Sequence, residues 1–168
     1  NKRFERNVQK QHNSIKKNEV LGEGMMEKIK KATMNDTQNI VKLFREEYSK
    51  PPYKEKWSKK IATQRIKNYF KDHEIFLLEI DGKIIGFIII TSYIWHTGLR
   101  GFIHEIIIKS KFQGRGYGKK LMKFAENYFR KQGAKEINLM YSPKSKAFKI
   151  YKKLNYKEEN FVSLYKKL

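Results

Sequence analysis

The sequence predicts an α/β fold in which helices cover both faces of a mixed sheet. Three observations carry that prediction. Residues 75–80 and 83–91 are nearly continuous apolar runs joined by Asp81-Gly82, the two-residue signal of a type I′ hairpin. Runs without polar alternation belong to strands buried on both faces. Segments with apolar residues at helical spacing stand before and after this hairpin. Finally, residues 102–132 combine a β-branched run, a glycine-punctuated loop and a long amphipathic segment.

Taken in order, residues 1–26 are polar and weakly periodic and form an extension or linker, and residues 27–168 form the domain. Residues 28–33 make a first strand. Thr33-Met-Asn-Asp36 fits a capping box, and the helix it opens carries Ile40, Val41, Leu43, Phe44 and Tyr48 on its apolar side. Lys50-Pro51-Pro52 stops that helix, because proline removes a donor and restricts the residue before it. A loop with Tyr53 and Trp57 leads to a second helix, about 58–70, with Ile61, Ile66, Tyr69 and Phe70 inward.

After the hairpin, residues 92–101 form a loop or hairpin tip. The strand 102–108 and the helix 115–132 follow, and Gly133 stands where a helix C-cap glycine belongs. A strand at 136–141 precedes a last helix, 144–154, whose first turn suits Pro143; Ala147, Ile150, Tyr151 and Leu154 share one of its faces. Two short strands, 156–159 and 161–166, end the chain. The expected order is β-α-α-β-β-β-α-β-α-β-β, with no internal repeat.

Composition limits the function classes. The longest apolar run, Ile84–Ile90, is far short of the roughly 18–20 residues of a membrane helix. There are no cysteines, so disulfides and cysteine-based zinc sites are excluded. With no leader pattern at the first residues, a cytoplasmic protein is expected. The formal charge is +21. It suits an anionic partner such as RNA, an acidic protein or a phosphate-bearing cofactor. The lysines are also spread over nearly every segment, as a solvated, compositionally biased surface would have them.

Strand, glycine loop and helix N-terminus together make an anion cradle: glycine lets backbone approach a phosphate, and the first amides of a helix have no partner of their own. The nucleotide-hydrolase loop G-x-x-x-x-G-K-[ST] does not fit, since Gly114 to Gly118 is one residue short and Lys120 stands where Ser or Thr belongs. The dinucleotide fingerprint G-x-G-x-x-G does not fit either, because Gly114, Gly116 and Gly118 give G-x-G-x-G. The pattern that does match is Gln113-Gly-Arg-Gly116-Tyr-Gly118 after a strand ending at Ile108. It resembles the coenzyme A pyrophosphate loop of the GNAT superfamily, the acetyl-CoA-dependent N-acetyltransferases.

A second matching segment is Ala147-Phe-Lys-Ile-Tyr151-Lys-Lys-Leu-Asn-Tyr156, similar to the superfamily's A-x-x-x-Y-x-K-x-G-F stretch. Asn155 stands in the glycine position, and asparagine tolerates the left-handed conformation. Lys144 stands where many relatives have an asparagine touching the cofactor. Glu105-Ile-Ile-Ile108 resembles the family's E-L-x-V pattern.

The resemblance spans about residues 27–168 and implies a fold, a cofactor and a site. Acetyl-CoA is the expected co-substrate, with no metal. Its pyrophosphate would lie on Gln113, Gly114, Arg115, Gly116, Tyr117, Gly118 and Lys119, and its pantetheine arm would pair with the backbone of Ile106, Ile107 and Ile108. That backbone becomes available if strand 102–108 splays from its neighbour after Glu105. Glu105 would take the proton of a primary amine, directly or through water, and Tyr151 would protonate the departing thiolate.

By alternation Glu105 shares a strand face with Ile103 and Ile107, and His104 faces the other way. The resemblance implies that Tyr53 and Trp57 border the acceptor groove or pack on the sheet; His96 is read as a surface-loop residue or one that touches the acceptor. The acceptor expected is a protein or peptide amine. The alternatives are an amine on RNA, or a non-catalytic GNAT-like module that binds nucleic acid or protein. Polyamines and aminoglycosides are disfavoured by charge repulsion.

If nucleic acid is the partner, its binding must weaken with salt by counterion release. The slope of log affinity against log salt should be about −0.7 per single-strand phosphate contacted. Titration of tRNA at increasing salt, starting from about 50 mM, measures it. A flat response leaves composition as the reason for the lysines.

Overall fold

The computed structural model describes residues 26–160 and 163–167. Of the expected extension, residues 1–25 lie outside the described residues. Five strands form one sheet in the order β1-β2-β3-β4-β5: β1 (Glu27–Lys31), β2 (Glu74–Ile80), β3 (Lys83–Trp95), β4 (Gly98–Ile108) and β5 (Glu136–Leu139). The neighbours from β1 to β4 are antiparallel, and β5 joins β4 in parallel. Helices α1 (Thr37–Tyr48) and α2 (Lys59–Asp72) cover one face. Helices α3 (Tyr117–Lys131) and α4 (Phe148–Lys153) cover the other. The expected α/β architecture is therefore present.

Local chemistry explains the element ends. Thr33 donates its amide (2.9 Å) and its hydroxyl (3.1 Å) to Asp36 Oδ2, and a 3₁₀ turn at Met34–Asp36 precedes α1. Ser58 caps α2 by accepting from the Ile61 amide at 3.2 Å. At the end of α3, Gly133 is left-handed, with φ 82°. Its amide bonds to Arg130, and that of Ala134 bonds to Phe129 at 3.0 Å, a Schellman motif. The same motif ends α4, with Asn155 at φ 64° and the Tyr156 amide on the Tyr151 carbonyl at 3.0 Å.

Two cores result, one on each side of the sheet. Ile40, Phe44, Ala62, Ile66, Leu77, Phe87 and Ile89 fill the α1/α2 side. Leu78, Ile88, Ile90, Leu121, Ala125 and Phe129 fill the α3/α4 side. Alternate residues of β2 and β3 thus go to different cores, which is why the segments Ile75–Leu78 and Ile84–Ile90 are apolar.

Four expectations need correction. For residues 92–101 the hairpin tip holds and the loop does not: Tyr93 pairs with Arg100, Ile94 with Leu99 and Trp95 with Gly98, and residues 96 and 97 form the turn. The Arg100 guanidinium lies 5.2 Å from the Trp95 ring centre and bonds to Glu136, which holds the extended hairpin to β5. Ile61 is exposed, and Ala62 takes the inward place. The stripe 62-66-69 excludes the neighbouring position, which lies about 100° further round the helix.

The last helix is shorter than 144–154, because Ser145 Oγ accepts the Ala147 amide at 3.1 Å and holds a turn there. Finally, no strand occurs at 156–159 or in 163–167; residues 161 and 162 lie outside the described residues. Glu159 accepts from Asn138 at 3.0 Å and lies 3.7 Å from Arg100. Side chains, not a backbone ladder, hold this segment near β5.

The sheet requires glycine where its strands approach most closely. A Cβ at Gly86 would sit 2.6 Å from the Ile107 carbonyl oxygen and 2.5 Å from Ile108 Cδ1, and the carbonyl belongs to a paired strand that cannot withdraw. Gly86→Ala should cost about 2–3 kcal/mol, read as a lower urea midpoint at unchanged m-value.

Candidate active site

The loop after β4 is held open at the level of single bonds. Gln113 folds back and donates from Nε2 to the Ile108 carbonyl at 2.8 Å. Glu47, near the end of α1, accepts from the Ser110 amide (3.0 Å), the Ser110 hydroxyl (2.6 Å) and Lys50 (2.7 Å). Burial opposes the Glu47 charge, but these hydrogen bonds outweigh it and hold the carboxyl below its usual range.

Beyond this anchor the amides from Gly114 to Lys119 find no acceptor among the described residues. The first helical bond runs from the Lys120 amide to the Gly116 carbonyl. Gly116 is the left-handed N-cap of α3, at φ 89°. A Cβ at Gly114 or Gly116 would meet nothing within 4 Å, whereas one at Gly118 would touch Ile150 at 3.6 Å. The first two glycines therefore face an open cradle, and Gly118 fits α3 against α4. Exposed amides at a helix N-terminus suit a pyrophosphate. The cradle thus fits the group that the sequence implied.

Parallel pairing of β4 with β5 stops at Ile103–Leu139. The splay begins at residue 104, before Glu105 rather than after it, and leaves the β5-side edge of His104–Ile108 without a strand. The Lys109 amide bonds to the Ile85 carbonyl, so by alternation Ile107 turns its backbone groups to β3. The Ile108 carbonyl is already an acceptor for Gln113, which leaves the backbone of Ile106 and the Ile108 amide as the open stretch for an extended ligand.

Glu105 is 5% exposed, but it does not lie in a purely apolar pocket. Tyr48 donates to its Oε2, and both Arg65 Nη2 and Tyr69 donate to Oε1 at 3.0 Å. The reason is a β-bulge. Ile89 pairs with Glu105, yet Ile90 pairs with Ile103, so His104 is the extra residue and strict alternation fails. Ile103 joins the α3/α4 core and Ile107 the α1/α2 core. Glu105 faces α1 and α2 with Ile107, while His104 also reaches that side, 5.7 Å from the Tyr69 ring and 4.3 Å from His73.

Burial, then the Glu105 charge, pushes the Tyr48 and Tyr69 hydroxyls well above the usual tyrosine range, so both stay donors. Tyr48, Arg65 and Tyr69 were not legible as site residues. Tyr48 and Tyr69 look like core aromatics in sequence, and Arg65 is one more cation in a basic helix. The available signal was weak: Arg65 and Tyr69 stand four apart, on one face of α2.

Tyr151 is 8% exposed on α4, and its hydroxyl has no hydrogen-bond partner among the described residues. Burial, with a smaller contribution from Tyr53, pushes it up to about 12. Tyr53 in turn packs 5.0 Å from Tyr48, so the aromatic loop after α1 spans the space between the Glu105 cluster and Tyr151. Trp57 borders Phe44 and Arg65. Lys144 and His96 are exposed; His96 lies at the far hairpin tip, away from this groove. Among the described residues no cluster of His, Asp and Glu could hold a metal, and no helix is long and apolar enough to cross a membrane.

A family model described as the acetyltransferase (GNAT) family matches residues 37–156. The chain belongs to the GNAT family. An N-acetyltransferase of Methanocaldococcus jannaschii, itself uncharacterised, is 29% identical over 146 residues, covering 80% of this chain and 62% of its own length. This chain therefore spans less than two thirds of that relative. The glucosamine 6-phosphate N-acetyltransferase of Arabidopsis thaliana is 29% identical over 90 residues, covering 51% of this chain and 60% of its own. Among solved structures, a possible acetyltransferase from Clostridium difficile superposes with TM-score 0.74 at 16% identity, over 85% of this chain and 99% of that one. The aminoglycoside N-acetyltransferase AAC(6')-Iy in complex with CoA gives 0.71 at 18% identity, over 88% and 99%. Both share the GNAT fold described above.

The bulge has a measurable consequence at His104. Its Nε2 is buried with no partner among the described residues. Burial first, then the nearby His73 and Arg65, push the imidazole down to about 4, with Asp72 opposing. The folded value lies below the ordinary 6.5, so the unfolded chain takes up the proton first. This contribution to stability is present above pH 6.5 and is lost as the pH falls towards 4. Allowing for partial exposure, about 1–2 kcal/mol is at stake. In His104→Phe the difference in urea stability between neutral and mildly acidic pH should shrink by that amount.

Proposed function

We propose that this chain transfers the acetyl group of acetyl-CoA to a primary amine of a protein or peptide. One observation carries the reading. The unpartnered amides of Gly114–Lys119 lie on the same strand–loop–helix unit as the open β4 edge and buried Glu105, so anion cradle, extended binding edge and proton acceptor follow one another along a single path. Acetyl-CoA supplies the activated thioester, and the protein's own groups do the rest.

Gly114–Lys119 hold the pyrophosphate through backbone amides, with Arg115 and Lys119 as nearby cations. The backbone of Ile106 and the Ile108 amide align the pantetheine arm, and one of these N–H groups polarises the carbonyl. The amine must attack uncharged. A carboxylate offers about four lone-pair sites; Tyr48, Arg65 and Tyr69 occupy three on Glu105, leaving one for the amine proton or a bridging water. Tyr151, whose hydroxyl burial holds above the usual tyrosine range and so in its protonated form, protonates the thiolate. Holding the two reactants side by side provides much of the rate. Tyr53, exposed and packed on Tyr48, and Trp57, against Arg65, offer apolar surface near Glu105 that suits a peptide.

The test is thiol release from acetyl-CoA across peptides, small amines including glucosamine 6-phosphate, and tRNA. Peptide turnover is expected; turnover of tRNA alone overturns the peptide assignment. Gly116→Val places a β-branched residue at φ 89° and should abolish acetyl-CoA binding by calorimetry with the fold retained. Unchanged affinity would remove the cradle from the mechanism. Tyr151→Phe should slow turnover roughly 10²–10⁴-fold with little change in acetyl-CoA affinity. Glu105→Gln should cost a similar factor and erase the acidic limb of the pH–rate profile. If that limb persists, the base is another group.

A further inference from the structure

Arg65 is a cation fixed against buried Glu105, and only a small part of its donor capacity is used among the described residues. Of the five N–H groups of a guanidinium, one bonds to Glu105 at 3.0 Å; no other acceptor lies in reach among the described residues. The side chain is nonetheless 44% exposed, so the remaining donors are open to solvent or a ligand. The guanidinium carbon stands 5.5 Å from the centre of the Trp57 ring and 5.1 Å from that of Tyr69. Two aromatic faces and a buried carboxylate therefore hold the group in place, unlike a surface arginine that samples many rotamers.

The acids bordering the groove are engaged elsewhere: Glu55 accepts from Trp57 at 2.5 Å, and Glu47 serves the Ser110 anchor. Arg65 thus presents a pre-organised, half-used fork of donors beside a carboxylate, Glu105, whose acceptor sites are largely taken.

We infer that Arg65 is a specificity-determining residue which binds an anionic group, a carboxylate or phosphate, carried by the acceptor close to its reacting amine. This rests on the acetyl-transfer reading and names the acceptor chemistry within it. A planar guanidinium matches both anions bidentately, and a lysine in its place would not. The anion draws Arg65 partly away from Glu105 Oε1, which relieves that oxygen of one donor as the amine arrives beside it. Recognition of the acceptor and release of the proton acceptor are then coupled through one side chain.

The experiment compares acceptors that differ only in the anion. Ethanolamine is paired with O-phosphoethanolamine. A peptide with Glu as its second residue is paired with the same peptide bearing Gln. Each is assayed by thiol release with wild type, Arg65→Gln and Arg65→Lys, and acetyl-CoA affinity is measured separately by calorimetry. In wild type the anionic member of at least one pair should show a KM at least tenfold lower, and the responding pair identifies phosphate or peptide carboxylate as the source.

In Arg65→Gln that ratio should collapse towards unity, and lysine should restore only part of it, with acetyl-CoA affinity unchanged throughout. The substitution removes one of 38 cations, so general attraction of anions by the basic surface survives it and cannot mimic the result. Inorganic phosphate should also inhibit wild type competitively against a neutral amine, a readout that needs no variant. Equal KM values within both pairs, or a preference that persists in Arg65→Gln, overturns the inference while acetyl transfer stands. Absence of acetyl-CoA binding overturns the underlying reading instead.

Discussion

The Glu105 carboxylate joins three elements that otherwise meet only through apolar contacts. It extends from β4 and accepts from Tyr48 at the end of α1 and from Arg65 and Tyr69 on α2. A buried charge without such partners would cost several kcal/mol, so the position of each helix over the sheet is tied to the satisfaction of one side chain. The bulge at His104 makes this possible by turning Glu105 to the α1/α2 side. The same irregularity lies at the point where β4 parts from β5. Site and splay are thus consequences of one local departure from strand geometry.

The two halves of the site rest on different physics. The cradle at Gly114–Lys119 is backbone: it needs a left-handed glycine, an N-terminal turn and an anchor that keeps the preceding turn in place. Glu47, Ser110 and Gln113 supply that anchor from α1 and the loop itself. The Glu105 cluster is side-chain chemistry in a nearly closed space. Tyr53, packed on Tyr48, links this cluster to the groove wall on which Tyr151 stands. Tyr151 is set by the Asn155 turn that ends its helix, so a residue distant from the chemistry positions the phenol.

Much of the fold was legible because its signals are local. Asp81 and Gly82 both adopt positive φ, as a type I′ turn requires; Gly133 and Asn155 end their helices as their conformational freedom suggests. The glycine loop was legible for the same reason, since a run of backbone amides needs no distant partner to be recognised. Errors arose where a distant partner decides. Tyr93 and Trp95 extend β3 because Arg100 and Glu136 brace the hairpin. The segment near Glu159 forms no ladder because its contacts with Asn138 and Arg100 are made by side chains.

The sequence by itself determined the layers of this protein and the position of its glycine loop, because turn chemistry and periodicity act within a few residues; motif resemblance pointed to the loop as a proposed anion cradle and to the acid and phenol proposed for catalysis. Only the tertiary structure decided which face Glu105 occupies and which donors surround it. A one-residue bulge reverses alternation at no visible cost in sequence. The partners it selects, Tyr48, Arg65 and Tyr69, are separated from Glu105 by 57, 40 and 36 positions and are brought together only by the packing of two helices on one sheet.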